Sequence, residues 1–142
     1  LVSFTFTSTY NRYLMGATSK NFSESELACS CCGKNEMTQE TVDALQALRE
    51  SIGKPLRLSS AYRCPEHNSK VSSTGKSGPH TTGKAIDIAC SGKDAWELLS
   101  FAMIRSKVWK GIGVSQKGKP HSSRFIHLDT IEADNRPWIW SY

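Results

Sequence analysis

Long hydrophobic runs are missing from this 142-residue chain. No stretch approaches the roughly 18 consecutive apolar residues that cross a bilayer, so neither a membrane-embedded role nor a membrane partner is expected. Blocks of basic residues are missing as well. The 18 Lys and Arg outnumber the 13 Asp and Glu for a net charge of +5, yet Lys70, Lys76, Lys84, Lys117 and Lys119 are scattered among glycines and serines. Diffuse positive charge favours long-range attraction to polyanions such as anionic wall polymers. Without a clustered patch, nucleic acid is not an expected partner. The first residues lack the basic start and cleavage signature of a secretory leader, which leaves the export route unread. No repeat or low-complexity tract occurs, and no feature demands self-association, so a monomer is expected.

What is present fits an ordinary globular protein. The length suits one domain with a real core, and 38% apolar with 22% charged residues leaves enough apolar side chains to fill it. The expectation is one domain over 1–142, with an N-terminal extension over 1–21 and a core over 22–142. Five cysteines form an odd set, with Cys29, Cys31 and Cys32 clustered and Cys64 and Cys90 alone. A Cys-Ser-Cys-Cys-Gly turn with a distant cysteine can hold a structural metal, close one disulfide or be buried thiols. Spacing alone does not decide, and buried thiols or one disulfide near a turn is the default.

Hydrophobic periodicity sets out the elements. Phe4, Phe6 and Tyr10 suggest an extended N-terminal piece, followed by a polar loop over 21–26. From Thr38, a natural N-cap, Val42, Leu45, Leu48 and Ile52 recur at helical spacing until Gly53 and Pro55 stop the run. Leu56 to Ala61 reads as a short strand, and Cys64-Pro65 opens a short helix through Val71. A polar loop over 72–83 leads into a strand over 85–89. A second helix is expected over 94–106 with Ala95, Leu98, Leu99 and Ala102 on one side, then strands over 108–115 and 124–130. These elements predict an α+β fold, a small, mainly antiparallel sheet with helices packed on one side. Trp138 and Trp140 read as core anchors.

Two segments carry chemistry. In Ala85 to Ala89, alternation puts Asp87 on a face with small Ala85 and Ala89 while Ile86 and Ile88 face the other way. Gly83 lets the chain turn so that His80 folds back toward the same space. In Phe125-Ile126-His127-Leu128-Asp129, Ile126 and Leu128 enter the core and His127 and Asp129 share the opposite face. If the strands are neighbours, His127 stands beside Asp87. Two histidines and a carboxylate leave a fourth position open on zinc, which is a catalytic arrangement. Spacing alone equally allows two unrelated surface histidines.

The segment Ser77 to Asp87 reads serine, two residues, histidine, two residues, glycine, x, alanine, x, aspartate. Ser59-Ser60-Ala61-Tyr62-Arg63-Cys64-Pro65 precedes it and Phe125 to Asp129 follows. In these three segments the chain resembles the zinc D-Ala-D-Ala carboxypeptidase family, which includes phage and bacterial L-Ala-D-Glu and D,D-endopeptidases; the resemblance covers about Phe22 to Tyr142. It implies a zinc peptidase of hedgehog/D-Ala-D-Ala-peptidase-like fold. His80, Asp87 and His127 would be the zinc ligands and Arg63 would hold the substrate carbonyl oxygen or a nearby carboxylate. The implied substrate is a peptidoglycan stem peptide or cross-link at the bacterial cell wall, cut by a D,D-carboxypeptidase or endopeptidase such as a phage lysin.

The general base departs from the family pattern. Members place an acidic residue three positions before the last histidine ligand or a histidine two before it, where this chain has Arg124 and Phe125. Asp129, about 6–7 Å along the strand from His127, is the first candidate base, with support of His127 as its alternative role. His121, in a Gly-, Pro- and Ser-rich loop, is the second; exposed loop histidines are the plainer reading of His121 and His67. The missing acid keeps open a different class of function, a catalytically silent zinc-containing wall-binding module.

Overall fold

The computed structural model describes residues 16–142. The extended piece expected at Phe4, Phe6 and Tyr10 lies outside them. Four helices are described: α1 (Glu24–Leu27), α2 (Gln39–Ile52), α3 (Pro65–Val71) and α4 (Gly92–Ile104). Five strands accompany them: β1 (Arg57–Ser60), β2 (Ala85–Ala89), β3 (Gly111–Ser115), β4 (Phe125–Asp129) and β5 (Trp138–Ser141). They form one sheet in the order β1-β2-β4-β3-β5, antiparallel except for the parallel pair β3 and β5. This is the α+β fold expected from the sequence. Among the described residues no helix is long and apolar enough to cross a membrane.

The expected α2 forms for the expected reasons. The Thr38 side chain accepts from the Thr41 N–H at the start, and Gly53 ends the helix in the left-handed region at φ 76°. Val42, Leu45 and Leu48 from α2 and Ala95, Leu98 and Ala102 from α4 join Ile86, Ile88, Ile126, Leu128 and Ile112 in one buried cluster. The two long helices therefore cover one face of the sheet. Each fully buried Leu or Ile there contributes about 1.5–3 kcal/mol. Thr41 also hydrogen-bonds Thr130 across 2.7 Å, tying α2 to the end of β4.

Four expectations need correction. The stretch read as a polar loop contains α1, held by a reciprocal capping box between Ser23 and Glu26 with Leu27 buried beneath. Helix α4 begins two residues earlier than expected and ends at Ile104. Strand β3 begins at Gly111 because residues 105–109 are spent on a turn, with the N–H groups of Val108 and Trp109 both bonded to the Arg105 carbonyl. The final segment is a strand rather than a core anchor: Trp138 is 63% exposed. The packed core also includes Ala17 and Phe22.

The opposite face carries a row of residues in register. Ser60 pairs with Asp87, Asp87 with His127, His127 with Gly113 and Gly113 with Trp140, one from each strand. The register slips between Leu58 and Ser60 on β1, a bulge of the kind that re-aims side chains at sheet edges.

Candidate metal centre

Asp87 and His127 are directly opposite on β2 and β4, so strand pairing alone brings them together. His80 arrives from a 3-10 turn, Pro79–Thr82, that Gly83 ends at φ 71°. A Cβ on Gly83 would run into the Glu36 carbonyl, so the turn needs glycine for both conformation and space. The result is a convergence on one oxygen. Asp87 Oδ1 lies 3.1 Å from His80 Nε2 and 3.0 Å from His127 Nδ1.

The far side of each ring decides what this convergence requires. His80 Nδ1 lies 2.7 Å from the Ala61 carbonyl, which can only accept, so that nitrogen carries the proton. His127 Nε2 lies 2.9 Å from Asp129 Oδ2, again an acceptor. In neutral imidazoles, His80 Nε2 and His127 Nδ1 are then bare lone pairs aimed at a carboxylate oxygen. Three electron-rich atoms facing one another need either added protons or a cation. Ligands about 2.0–2.1 Å from a tetrahedral zinc stand about 3.3 Å apart, close to the separations here. The donor set fits a metal ion, and the three ligand atoms all lie within 4.8 Å of one another.

Without a metal, protons take up the strain. Burial works against charge at His127, but hydrogen bonds to Asp129 and Asp87 and their negative charge raise its pKa above the ordinary value. Burial likewise opposes ionisation of Asp87, yet the bonds and charges of His127 and His80 hold its carboxyl well below the usual range. Asp129 is also buried and also lowered, by His127 and Arg136.

Arg63 completes the row. Its Nε donates to Ser60 Oγ at 2.8 Å, Nη1 to Asn68 Oδ1 at 3.2 Å and Nη2 to Asp87 Oδ2 at 3.1 Å. Asn68 is itself buried and donates to Thr74 Oγ1 and the Gly75 carbonyl, linking the arginine to the loop that follows α3. Arg63, His80, Asp87 and His127 all line a cavity of about 670 Å³, bounded by Ser72–Thr74, Ser122–Arg124, Trp140 and Tyr142.

The two candidate bases stand elsewhere. Asp129 sits behind His127, on the ring edge away from Asp87, and both its oxygens are engaged: Oδ1 by Arg136 Nε at 3.0 Å, Oδ2 by Arg136 Nη2 at 2.9 Å and by His127. His121 is exposed at the start of a 3-10 turn and is not among the cavity's lining residues, although Ser122 and Ser123 are. Among the described residues, Asp87 supplies the cavity's carboxylate.

Sequence reasoning missed Arg136, Trp140 and the purpose of two glycines. The Trp140 ring lies 5.0 Å from the His127 ring, with the Arg136 guanidinium 5.2 Å from the indole centroid. A Cβ on Gly111 would collide with the Asp129 carboxylate, and one on Gly113 would come within 2.7 Å of Trp140 Nε1. Glycines two apart on a strand beside the His127 strand were the available signal, since alternate empty positions imply that something else fills that face.

The Peptidase M15 family description matches residues 20–129 of the chain. No curated protein matches it.

Proposed function

The chain belongs to the Peptidase M15 family, and from that premise we propose that it is a zinc peptidase hydrolysing peptide bonds of bacterial peptidoglycan. One observation carries the reading: the lone pairs of His80 and His127 converge on Asp87 at the edge of a cavity that also holds an arginine. Zinc held by His80, Asp87 and His127 would polarise a scissile carbonyl and bring water into attack at neutral pH.

The remaining chemistry belongs to the chain's own side chains. Arg63, anchored by Ser60, Asn68 and Asp87, presents a fixed positive charge to the carbonyl oxygen where negative charge develops, or to a neighbouring substrate carboxylate. Its anchors hold the guanidinium before substrate arrives, which avoids reorganisation during the reaction. Asp129 keeps the proton on His127 Nε2 and so keeps Nδ1 free as a donor. Trp140 and Tyr142 line that side of the cavity with aromatic rings. Asp129 is a positioning residue in this reading, because both its oxygens are engaged by Arg136 and His127 and it does not line the cavity.

A second reading, a zinc-containing wall-binding module without turnover, is favoured by one observation: among the described residues, Asp87 is the cavity's carboxylate and is committed to the histidines and Arg63. The two are separated by measuring new amino groups released from purified peptidoglycan by the native protein and by His80→Ala. Release that the substitution abolishes establishes the peptidase, and the product names the bond, including whether it is cut at a chain end or internally. Wall binding with no release from walls of several chemotypes would replace it with the silent module.

A further inference from the structure

We propose that Cys29, Cys32, Cys64 and His67 form a second metal site, a structural zinc site that pins the start of α3 to the turn after α1. The sulfurs of Cys29, Cys32 and Cys64 lie within 4.8 Å of one another, and thiolates on a tetrahedral zinc at about 2.3 Å stand about 3.8 Å apart. All five cysteines are free thiols, so the cluster is three sulfurs that face each other without a bond between them.

The sequence places them in two short pairs, Cys29-x-x-Cys32 and Cys64-x-x-His67, the spacing of structural zinc ligands. Backbone geometry supports each pair. After Cys32, Gly33 takes φ 74°, its N–H bonds the Cys29 carbonyl at 2.8 Å, and the Cys29 N–H bonds the Lys34 carbonyl at 2.8 Å. This closes a tight knuckle with the sulfur of Cys29 inside it. That sulfur accepts from the backbone N–H of Cys64 at 3.4 Å. Cys64 Sγ accepts from the His67 N–H at 3.4 Å. An N–H donor at a sulfur favours the thiolate, the form that binds metal; at Cys64 the His67 N–H is outweighed in the metal-free chain by burial and the neighbouring Cys29 sulfur, which push the thiol up to about 11.

The fourth ligand comes from the first turn of α3. His67 stands outside the three-sulfur group, with its Nε2 3.3 Å from Ser30 Oγ in the knuckle, a long and weak bond that the ring would exchange for zinc by turning toward the sulfurs. The position has a use. Cys64 directly follows Arg63, and Asn68, one residue beyond His67, receives an Arg63 N–H. Zinc on both ends of the Cys64-to-His67 turn would lock the segment that aims Arg63 into the cavity. This site shares no ligand with His80, Asp87 and His127, and it stands or falls separately from the peptidase reading.

The test is metal content of the full chain, purified under reductant with zinc and measured by elemental analysis and native mass spectrometry. Two zinc ions per chain are expected, falling to one in His80→Ala and to one in Cys32→Ser, whose side chain is exposed and outside the core. Cobalt-loaded His80→Ala should show an intense thiolate-to-cobalt charge-transfer band, weakened in Cys32→Ser and in His67→Ala and unchanged in Cys90→Ser. If His80→Ala does not fold, a mercurial thiol reagent added to the native protein should release one of its two zinc ions. A wild-type chain with one zinc that survives the mercurial, or a mass lower by two hydrogens from a disulfide within the cluster, overturns the site. A band and metal content unaltered in His67→Ala overturn the fourth ligand.

Discussion

Asp129→Asn tests whether the carboxylate behind His127 aims the ring or moves protons. Arg136 forks onto both Asp129 oxygens, and His127 Nε2 takes one of them as well. An amide offers one oxygen. If that oxygen stays on Arg136 Nη2 and His127, the amide nitrogen faces Arg136 Nε, donor against donor. If the amide flips, its N–H faces His127 Nε2, which must then accept, and the ring proton moves to Nδ1, the atom turned toward Asp87. The first outcome strands an Arg136 donor and loosens the carboxamide behind the ring, and the second removes the metal-facing lone pair outright. Loss of such a partner typically lowers metal affinity 10–100-fold, about 1.4–2.7 kcal/mol, and the forced tautomer places the expectation at the upper end. Asp129→Ala should cost more in the metal-free fold, about 3–5 kcal/mol, because Arg136 would be left as a buried unpaired charge. The assay is zinc titration against a chromophoric competitor, taking the difference between each chain and its His80→Ala counterpart, with urea unfolding in chelator beside it. An Asp129→Asn protein that binds zinc within twofold of the native chain yet loses peptide release would refute the reasoning and return Asp129 to the role of base.

Three further outcomes are expected. In chelator, Asp87 and Asp129 have lowered pKa values, so their contribution is present above about pH 4 and lost as pH falls; the raised His127 contributes below about pH 6.5 and loses its contribution as pH rises through its folded value. Thermal unfolding of the metal-free protein should therefore be highest between those limits, with zinc reversing the alkaline decline, and a profile that is flat in chelator would count against the proton arrangement. Arg63→Lys should lower turnover about 100-fold, near 2.7 kcal/mol, with bound zinc unchanged; a loss confined to KM would instead assign Arg63 to ground-state binding. Gly113→Ala should destabilise by about 1–3 kcal/mol in urea through its collision with Trp140, and Gly113→Ala with Trp140→Ala should recover part of that loss.

Legibility in the sequence followed the range of the interactions. The alternations in Ala85–Ala89 and Phe125–Asp129 are local, and they placed Ile86, Ile88, Ile126 and Leu128 in the core and Asp87 and His127 on the other face, as the structure has them. Helix α2 carried its stop and start signals within its own residues. Strand β5 did not: Trp138 and Ile139 are both more than 60% exposed, so the segment lacks the alternating burial of a typical strand and is specified by its partner β3. Helix α1 was legible in principle, since Ser23 and Glu26 have capping-box spacing, but one turn of polar residues offers no periodicity to accompany it. The proposed ligands were readable because each lies on a short element beside a glycine or a paired strand. Arg136 was not, since its bond to Asp129 depends on how residues 130–136 return to the sheet, which no short-range pattern encodes.

The row from Ser60 to Trp140 separates anchoring from recognition. Asp87 and His127 are fixed by the backbone ladder in the middle of the sheet, while much of the cavity's rim, Ser72–Thr74 and Ser122–Arg124, is carried on connecting segments that lie between strands. Those rim segments include none of the residues that converge on Asp87. They can be lengthened, shortened or exchanged to admit a different peptide while the sheet beneath keeps its register, which makes this a frame suited to retargeting by loop grafting.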